Sequence, residues 1–202
     1  MGSSMLLTDR SSWRDRVLGA LRLDAETYAE IAADDAATWQ AFAVLAVSIV
    51  VASIPGGPDV GRIIGAGGPA DPLVWGVALA FGALVGFGII AAVLVVWAGL
   101  LAAIATAGVT GPETRAAFRR LRRALGFASA PYAFAALAAV PTVGGMLWIA
   151  VLVWLVAAAV VAIREALRVS TWWAIAAVVG SWLAVGALGV LFFVWLIIVS
   201  HS

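Results

Sequence analysis

LVWGVALAFGALVGFGIIAAVLVVWAGLLAAIATAG, residues 73–108, carries no charged side chain from end to end. As one helix, its roughly 35 residues would reach about 50 Å at 1.5 Å per residue. A bilayer's hydrocarbon core is only about 30 Å thick, and about 20 apolar residues cross it. The stretch is therefore either one tilted, protruding helix or two short spans hinged near Gly86-Phe87-Gly88. That choice sets the number of crossings in the whole chain.

Working outward, four further apolar tracts flank it. The first runs over about 39–54 and is closed by Pro55-Gly56-Gly57-Pro58. Those over about 125–141 and 143–163 meet at Pro141, and the latter is stopped by Arg164-Glu165. The last, about 171–199, carries the chain almost to its end. Arginine placement decides how the long tract is read, because cytoplasmic segments carry the excess of basic residues. With one helix over about 73–107, three groups share a side: Arg10, Arg14, Arg16 and Arg22; Arg115, Arg119, Arg120, Arg122 and Arg123; Arg164 and Arg168. Only Arg62 falls opposite. Splitting the tract would set the five-arginine cluster against the N-terminal group. The expected architecture is thus an all-α, polytopic bundle of five transmembrane helices, N-terminus inside and C-terminus outside. Residues 1–38 form a cytoplasmic amphipathic segment and 39–200 the membrane domain.

Composition agrees. The 202 residues are 64% hydrophobic and only 11% charged, with a mean hydropathy of +1.10. A soluble domain is about one quarter charged, so this chain has too little charge to solvate a globule of its size. A formal charge of +1 argues against a nucleic-acid partner. With no cysteine, disulfides, thiolate metal sites and cysteine nucleophiles are excluded. No apolar run precedes the tract beginning near Trp39, which is expected to stay as a signal-anchor. Trp39, Trp75, Trp148, Trp172, Trp173 and Trp195 fall near predicted span ends, where indole favours the headgroup layer. Trp97, Trp154 and Trp182 sit deeper, as packing residues.

Two segments outside the tracts read as surface helices. Trp13, Val17, Leu18 and Leu21 recur at helical spacing, and Asp24 is placed to cap a second helix with Glu26 in its first turn. Gly111-Pro112-Glu113 opens the other, with proline and an acid in the first turn. There Arg115, Arg119 and Arg122 form one stripe and Phe118, Leu121 and Leu125 another, the pattern of an interfacial helix on anionic lipid. Arg115, Arg119, Arg120, Arg122 and Arg123 are the candidate contacts for anionic headgroups or a partner. Fixing topology alone is the simpler account of the same residues.

Three stretches taken in order carry a family resemblance: RVLGALRLDAETYAEIAADDAATWQAFAV, FRRLRRALGFASAPYAFAALAAVPTVGG and LVWLVAAAVVAIREALRVSTWWAI. Around five apolar tracts, they resemble bacterial members of the Yip domain family, the Ypt/Rab-interacting proteins. Matching positions are Gly126, Phe127, Ala130, Pro131, Pro141, Gly144, Gly145, Trp154, Arg164, Glu165, Ser170 and Thr171. The resemblance implies a five-helix membrane domain with a cytoplasmic N-terminus. Its eukaryotic relatives act in vesicle traffic and bind small GTPases. The N-terminal segment here is much shorter than theirs, so the resemblance carries over membrane residence and no partner.

Charged residues within spans are costly and usually functional, and the five tracts contain no Asp, Glu, Arg or His between their boundaries. No catalytic, metal or cofactor site is expected, and the one histidine, His201, lies at the chain's end. Gly82 and Gly86 make a small-residue pair for helix packing within the chain or against a second copy. Pro131 removes an amide donor inside the third tract, marking a kink or small polar cavity with Ser129 and Tyr132; a re-entrant hairpin starting at Pro131 is the alternative to this kinked crossing. Arg164, Glu165 and Ser170 form a candidate polar cluster, with Glu165 reaching an arginine of the 115–123 group; helix-end and capping roles also suffice. The expected function is a non-enzymatic protein of the bacterial inner membrane that organises lipids, further copies or other membrane proteins. A small transporter or channel for a neutral or lipidic substrate is the rival.

Overall fold

The computed structural model describes residues 12–54, 72–105 and 112–181, together with 183, 187 and 195. Expectations for Arg10, Arg62, Trp182, His201, the Pro55–Pro58 break and most of the last span beyond Ser181 lie outside these residues. Among the described residues the fold is all-α, without strands.

Capping chemistry delimits the first two helices. Ser12 and Asp15 form a reciprocal capping box that opens α1, Trp13–Leu21. Asp24 accepts from the Thr27 amide at 3.0 Å and opens α2, Ala25–Ala33. Between them the Leu23 amide donates to the Ala20 carbonyl and that of Asp24 to Gly19. This closing pattern puts Leu23 in the left-handed region at φ 60°. Helix α3 runs over Ala37–Ser53. The decisive tract forms one continuous helix, α4, Pro72–Ala105, so the hinge at Gly86–Gly88 is not used. Proline and glutamate open α5, Pro112–Ala128.

The third tract departs from expectation. Leu125–Ala128 belong to the arginine-bearing α5, which ends there, and Ala130–Ala139 form a 3-10 helix. Pro131 lies at its start, so the bend falls at Ser129 and no α-helical crossing is kinked. Ten residues at about 2.0 Å each extend about 20 Å, further than the same length of α-helix. Side chains three apart eclipse in this geometry. Here Ala130, Ala133, Ala136 and Ala139 fill one such row, where crowding is least. Phe134, Leu137 and Val140 occupy a second row and are exposed, while Ala135 is buried on the third. The segment packs between α3 and the helix that follows, α6, Gly144–Leu167. A Cβ on Gly144 would fall 2.0 Å from the Ala138 carbonyl oxygen, so only glycine closes this turn. The fourth tract is thus longer than expected, with Arg164-Glu165 inside the last turn of α6. Arg168 follows in the left-handed region at φ 55°, and α7 begins at Thr171 and is continuous to Ser181.

Packing concentrates at one end. A single core joins Ala20, Tyr28 and Ile31, Ala41 at the start of α3, Leu101 near the end of α4, Leu121 and Phe127 of α5, Ile163 near the end of α6, and Val178 of α7. The ends of successive helices that meet there alternate in direction. Elsewhere large apolar side chains face outward, among them Phe81, Leu84, Ile89 and Val96 of α4 and Met146, Ile149 and Val153 of α6. Two stretches, Ala80–Ile104 and Gly144–Leu167, are long and apolar enough to cross a membrane. Only 17% and 22% of their most apolar windows is buried, which separates them from the core helices of a soluble globule.

Close approach of α5 to α3 depends on Gly126, where an added Cβ would lie 2.6 Å from Ala41 Cβ and 3.1 Å from its carbonyl oxygen. Gly126→Ala is expected to lower stability by roughly 1–3 kcal/mol, the usual range for overpacking, measured by thermal unfolding in detergent. Arg168→Gly is expected to raise it by up to about 1 kcal/mol, since glycine escapes the left-handed penalty.

Candidate functional site

Among the described residues, the charged side chains absent from the apolar stretches gather at the packed end. Arg16, buried on α1, donates through Nη2 to Glu30 at 2.8 Å and to Asp34 at 2.6 Å, and through Nη1 to Gln40 at 2.9 Å. This joins α1, α2 and α3. Burial by itself would lower the Arg16 pKa, but its hydrogen bonds to Asp34 and Glu30 and their charges outweigh it and raise the pKa. Arg123, on α5, is also buried; its Nη1 pairs with the Asp35 carboxylate and its Nη2 donates to the Ala32 carbonyl at 2.6 Å. Two further bonds seat the N-terminal hairpin: Trp154 Nε1 donates to the Leu21 carbonyl at 3.0 Å, and the Tyr28 hydroxyl to Ala20 at 3.2 Å. Burial pushes the Tyr28 phenol pKa up, so it stays protonated and can donate.

The five α5 arginines therefore do not share one surface. Arg115 and Arg119 are exposed, Arg120 and Arg122 half-buried, and Arg123 is turned inward onto Asp35. Arg123 thus holds the fold together at a position expected to face headgroups, because α5 dives into the bundle and residues 123–128 are buried on every side. Arg122 lies over two rings, its guanidinium carbon 5.5 Å from the centroid of Phe42 and 5.7 Å from that of Phe118. It lines a cavity of about 20 Å³ between α3, α4 and α5, whose walls also include Phe42, Leu45, Leu94, Val95 and the buried Arg123.

Other expected sites are arranged differently. Pro131, Ser129 and Tyr132 do not line that cavity. The Ser129 hydroxyl donates to the Gly126 carbonyl at 2.6 Å, and Tyr132 meets Trp148 edge-on at 6.4 Å. Glu165 pairs with its neighbour Arg164 at 2.6 Å and with no arginine of α5 among the described residues. Ser170 accepts from the Trp173 amide at 3.3 Å, capping α7. A Cβ on Gly86 would sit 3.6 Å from Ile49, whereas Gly82 faces open space, so of this pair only Gly86 packs within the chain. Sequence reasoning missed the acidic side of the network, Glu30, Asp34 and Asp35. Their signal was present: acids set just before an uncharged tract, on the side that holds nearly all the arginines.

Among the described residues no cluster of His, Cys, Asp or Glu is arranged to hold a metal ion. The profile of the Yip1 domain matches residues 18–197, nearly the whole chain. The chain belongs to the Yip1 domain family. The matched span begins in α1 and takes in the hairpin, α5 and the 3-10 segment, so the packed end and the apolar stretches are parts of one Yip1 domain. Family and apolar helices together mark a membrane protein. No curated protein sequence and no solved structure gives a significant match.

The Arg16 network makes the seating of the hairpin testable. Arg16→Leu removes the guanidinium that Glu30 and the largely buried Asp34 share, and amide exchange over residues 13–33 is expected to rise at least about tenfold, with α6 protected as before. A separate pH effect concerns the caps. Hydrogen bonds from Ser12 and Thr27 hold the Asp15 and Asp24 carboxyls below their ordinary value of 3.8. Their contribution is therefore complete above about pH 4 and is lost as pH falls through the lowered folded values. Fraying of α1 and α2 is expected only below about pH 4, followed by amide exchange; Asp24→Asn, which caps without titrating, removes the α2 part of it.

Proposed function

We propose that this Yip1 domain is a non-enzymatic protein of the bacterial inner membrane that crosses the bilayer five times and organises anionic lipids and partner membrane proteins at its cytoplasmic face. The observation that carries this reading is the segregation of charge. Arg16, Arg123 and their acids close the core at one end, Arg115 and Arg119 stand exposed on that end, and α4 and α6 expose apolar side chains beyond it. Arginine on the cytoplasmic side and exposed Trp39 and Trp172 where α3 and α7 begin fit a headgroup layer at that level. The alternating helix directions then carry the N-terminus inside and the C-terminus outside, with α3, α4, the 3-10 segment, α6 and α7 as the crossings. The Yip1 domain family is not a known enzyme family.

The cysteine-free sequence allows a direct test of direction. Ser12→Cys and Thr142→Cys are expected to react with an impermeant maleimide from opposite faces of inverted vesicles; labelling from the same face would overturn the five-crossing arrangement. Each basic residue near an anionic surface contributes ~1 kcal/mol. Replacing Arg115 and Arg119 by Gln should therefore reduce the selectivity of boundary lipid for phosphatidylglycerol several-fold in reconstituted vesicles, most clearly at low salt. Unchanged selectivity, or solute flux through vesicles holding the wild-type protein, would argue against the organising role.

A further inference from the structure

Charge on α5 is answered unevenly. Arg123 has Asp35, and Arg115 and Arg119 have solvent. Arg120 and Arg122 are half-buried, each with a buried Nε that has no hydrogen-bond partner, and neither has an acidic partner among the described residues. Of these two, only Arg122 faces the cavity between α3, α4 and α5. The rings of Phe42 and Phe118 fix its position. They offer an attractive face to the cation but no hydrogen-bond acceptor. Its Nε is out of water and unanswered, no counter-charge among the described residues meets the half-buried head, and the planar group fits the bidentate acceptor geometry of a phosphate.

The surroundings narrow the source of that phosphate. Below the guanidinium the walls are Leu45 of α3 and Leu94 and Val95 of α4. On the same turns of α4, Val93 and Val96 are exposed, at 55% and 71%. The enclosed part holds no more than about one water, so an occupant lies along the groove with only its charged atoms reaching inward. An apolar chain attached to a phosphate has that shape. Because Asp35 already neutralises Arg123, the groove keeps one net positive charge from Arg122, and a lipid with net negative charge complements it better than a zwitterionic one.

We propose that this groove binds one anionic phospholipid, its phosphate on the Arg122 guanidinium and an acyl chain outside the enclosed part, along Leu94, Val95 and the exposed Val96 of α4. The proposal rests on the reading of the charged end as a lipid-organising surface and adds to it one stoichiometric site. The full-length protein in mild detergent, titrated with phosphatidylglycerol and observed by native mass spectrometry, is expected to retain one lipid. Phosphatidylcholine is expected to bind at least about tenfold more weakly. Arg122→Gln should weaken phosphatidylglycerol retention by about tenfold or more. Leu94→Trp keeps the arginine but fills the groove and should weaken it similarly, which covers the case in which Arg122→Gln does not fold. Retention unchanged in either folded variant overturns the site, as does equal retention of phosphatidylcholine. Displacement of the lipid by millimolar inorganic phosphate shows a free-anion site instead and overturns the lipid assignment. Arg115→Gln/Arg119→Gln is expected to keep the single bound lipid while losing boundary-lipid selectivity, so failure of the groove and failure of the wider organising role give different results.

Discussion

Arginine keeps its charge wherever it is placed, so burying its guanidinium requires other groups to come with it. Arg16 and Arg123 impose that requirement on everything around them. Arg16 draws Glu30, Asp34 and Gln40 together, which forces α1 and α2 to fold back on the start of α3. Arg123 draws Asp35 and the Ala32 carbonyl, which brings α5 onto the same corner. Once α5 is held there, Leu121, Phe127 and the ends of α4 and α6 close a core at that level. The Asp35 carboxylate is 90% exposed and easily hydrated whereas Arg123 is not, so the two partners of this bridge are unequal. Losing the acid strands a buried cation; losing the arginine leaves a solvated acid.

The membrane-level helices were legible in the chain because hydrophobicity and charge act on whole segments. The reading of the long tract as one helix through Gly86–Gly88 comes from arginines dozens of residues away, and α4 is continuous there. The Asp24 cap and the Pro112 start of α5 were equally readable, being local chemistry. The burial of Arg123 was not. It lies one turn from exposed Arg119, beside the stripe of Arg115, Arg119 and Arg122, and periodicity assumes that a helix keeps the same neighbours along its length. The last turn and a half of α5 leaves the surface and is surrounded, so its polar face has to find partners from other segments. No spacing within α5 could announce Asp35.

The 3-10 segment was hidden for a related reason. Ala130–Ala139 is equally compatible with an α-helix by composition, and Pro131 can begin either. Tertiary packing between α3 and α6, with Gly144 against Ala138, selects the more extended form. The three-residue rows then explain after the fact why Phe134, Leu137 and Val140 are large while the row beside them is alanine. The Arg122 groove has a similar history. Its arginine was visible, but the rings that hold it come from two different helices, α3 and α5, and the apolar walls from α3 and α4.

The unequal lengths of α4 and the 3-10 segment have a mechanical consequence. One reaches about 50 Å and the other about 20 Å, yet both belong to the apolar body of one Yip1 domain. With both as crossings, as proposed, a bilayer of uniform thickness cannot match both, so the long element would tilt or thicken the lipid beside it and the short one would draw the leaflets together. The lipid annulus of such a molecule is uneven around its circumference, thinner on one flank than on the other. Under that arrangement, membrane deformation would be a property of the shape itself, independent of any ligand or partner.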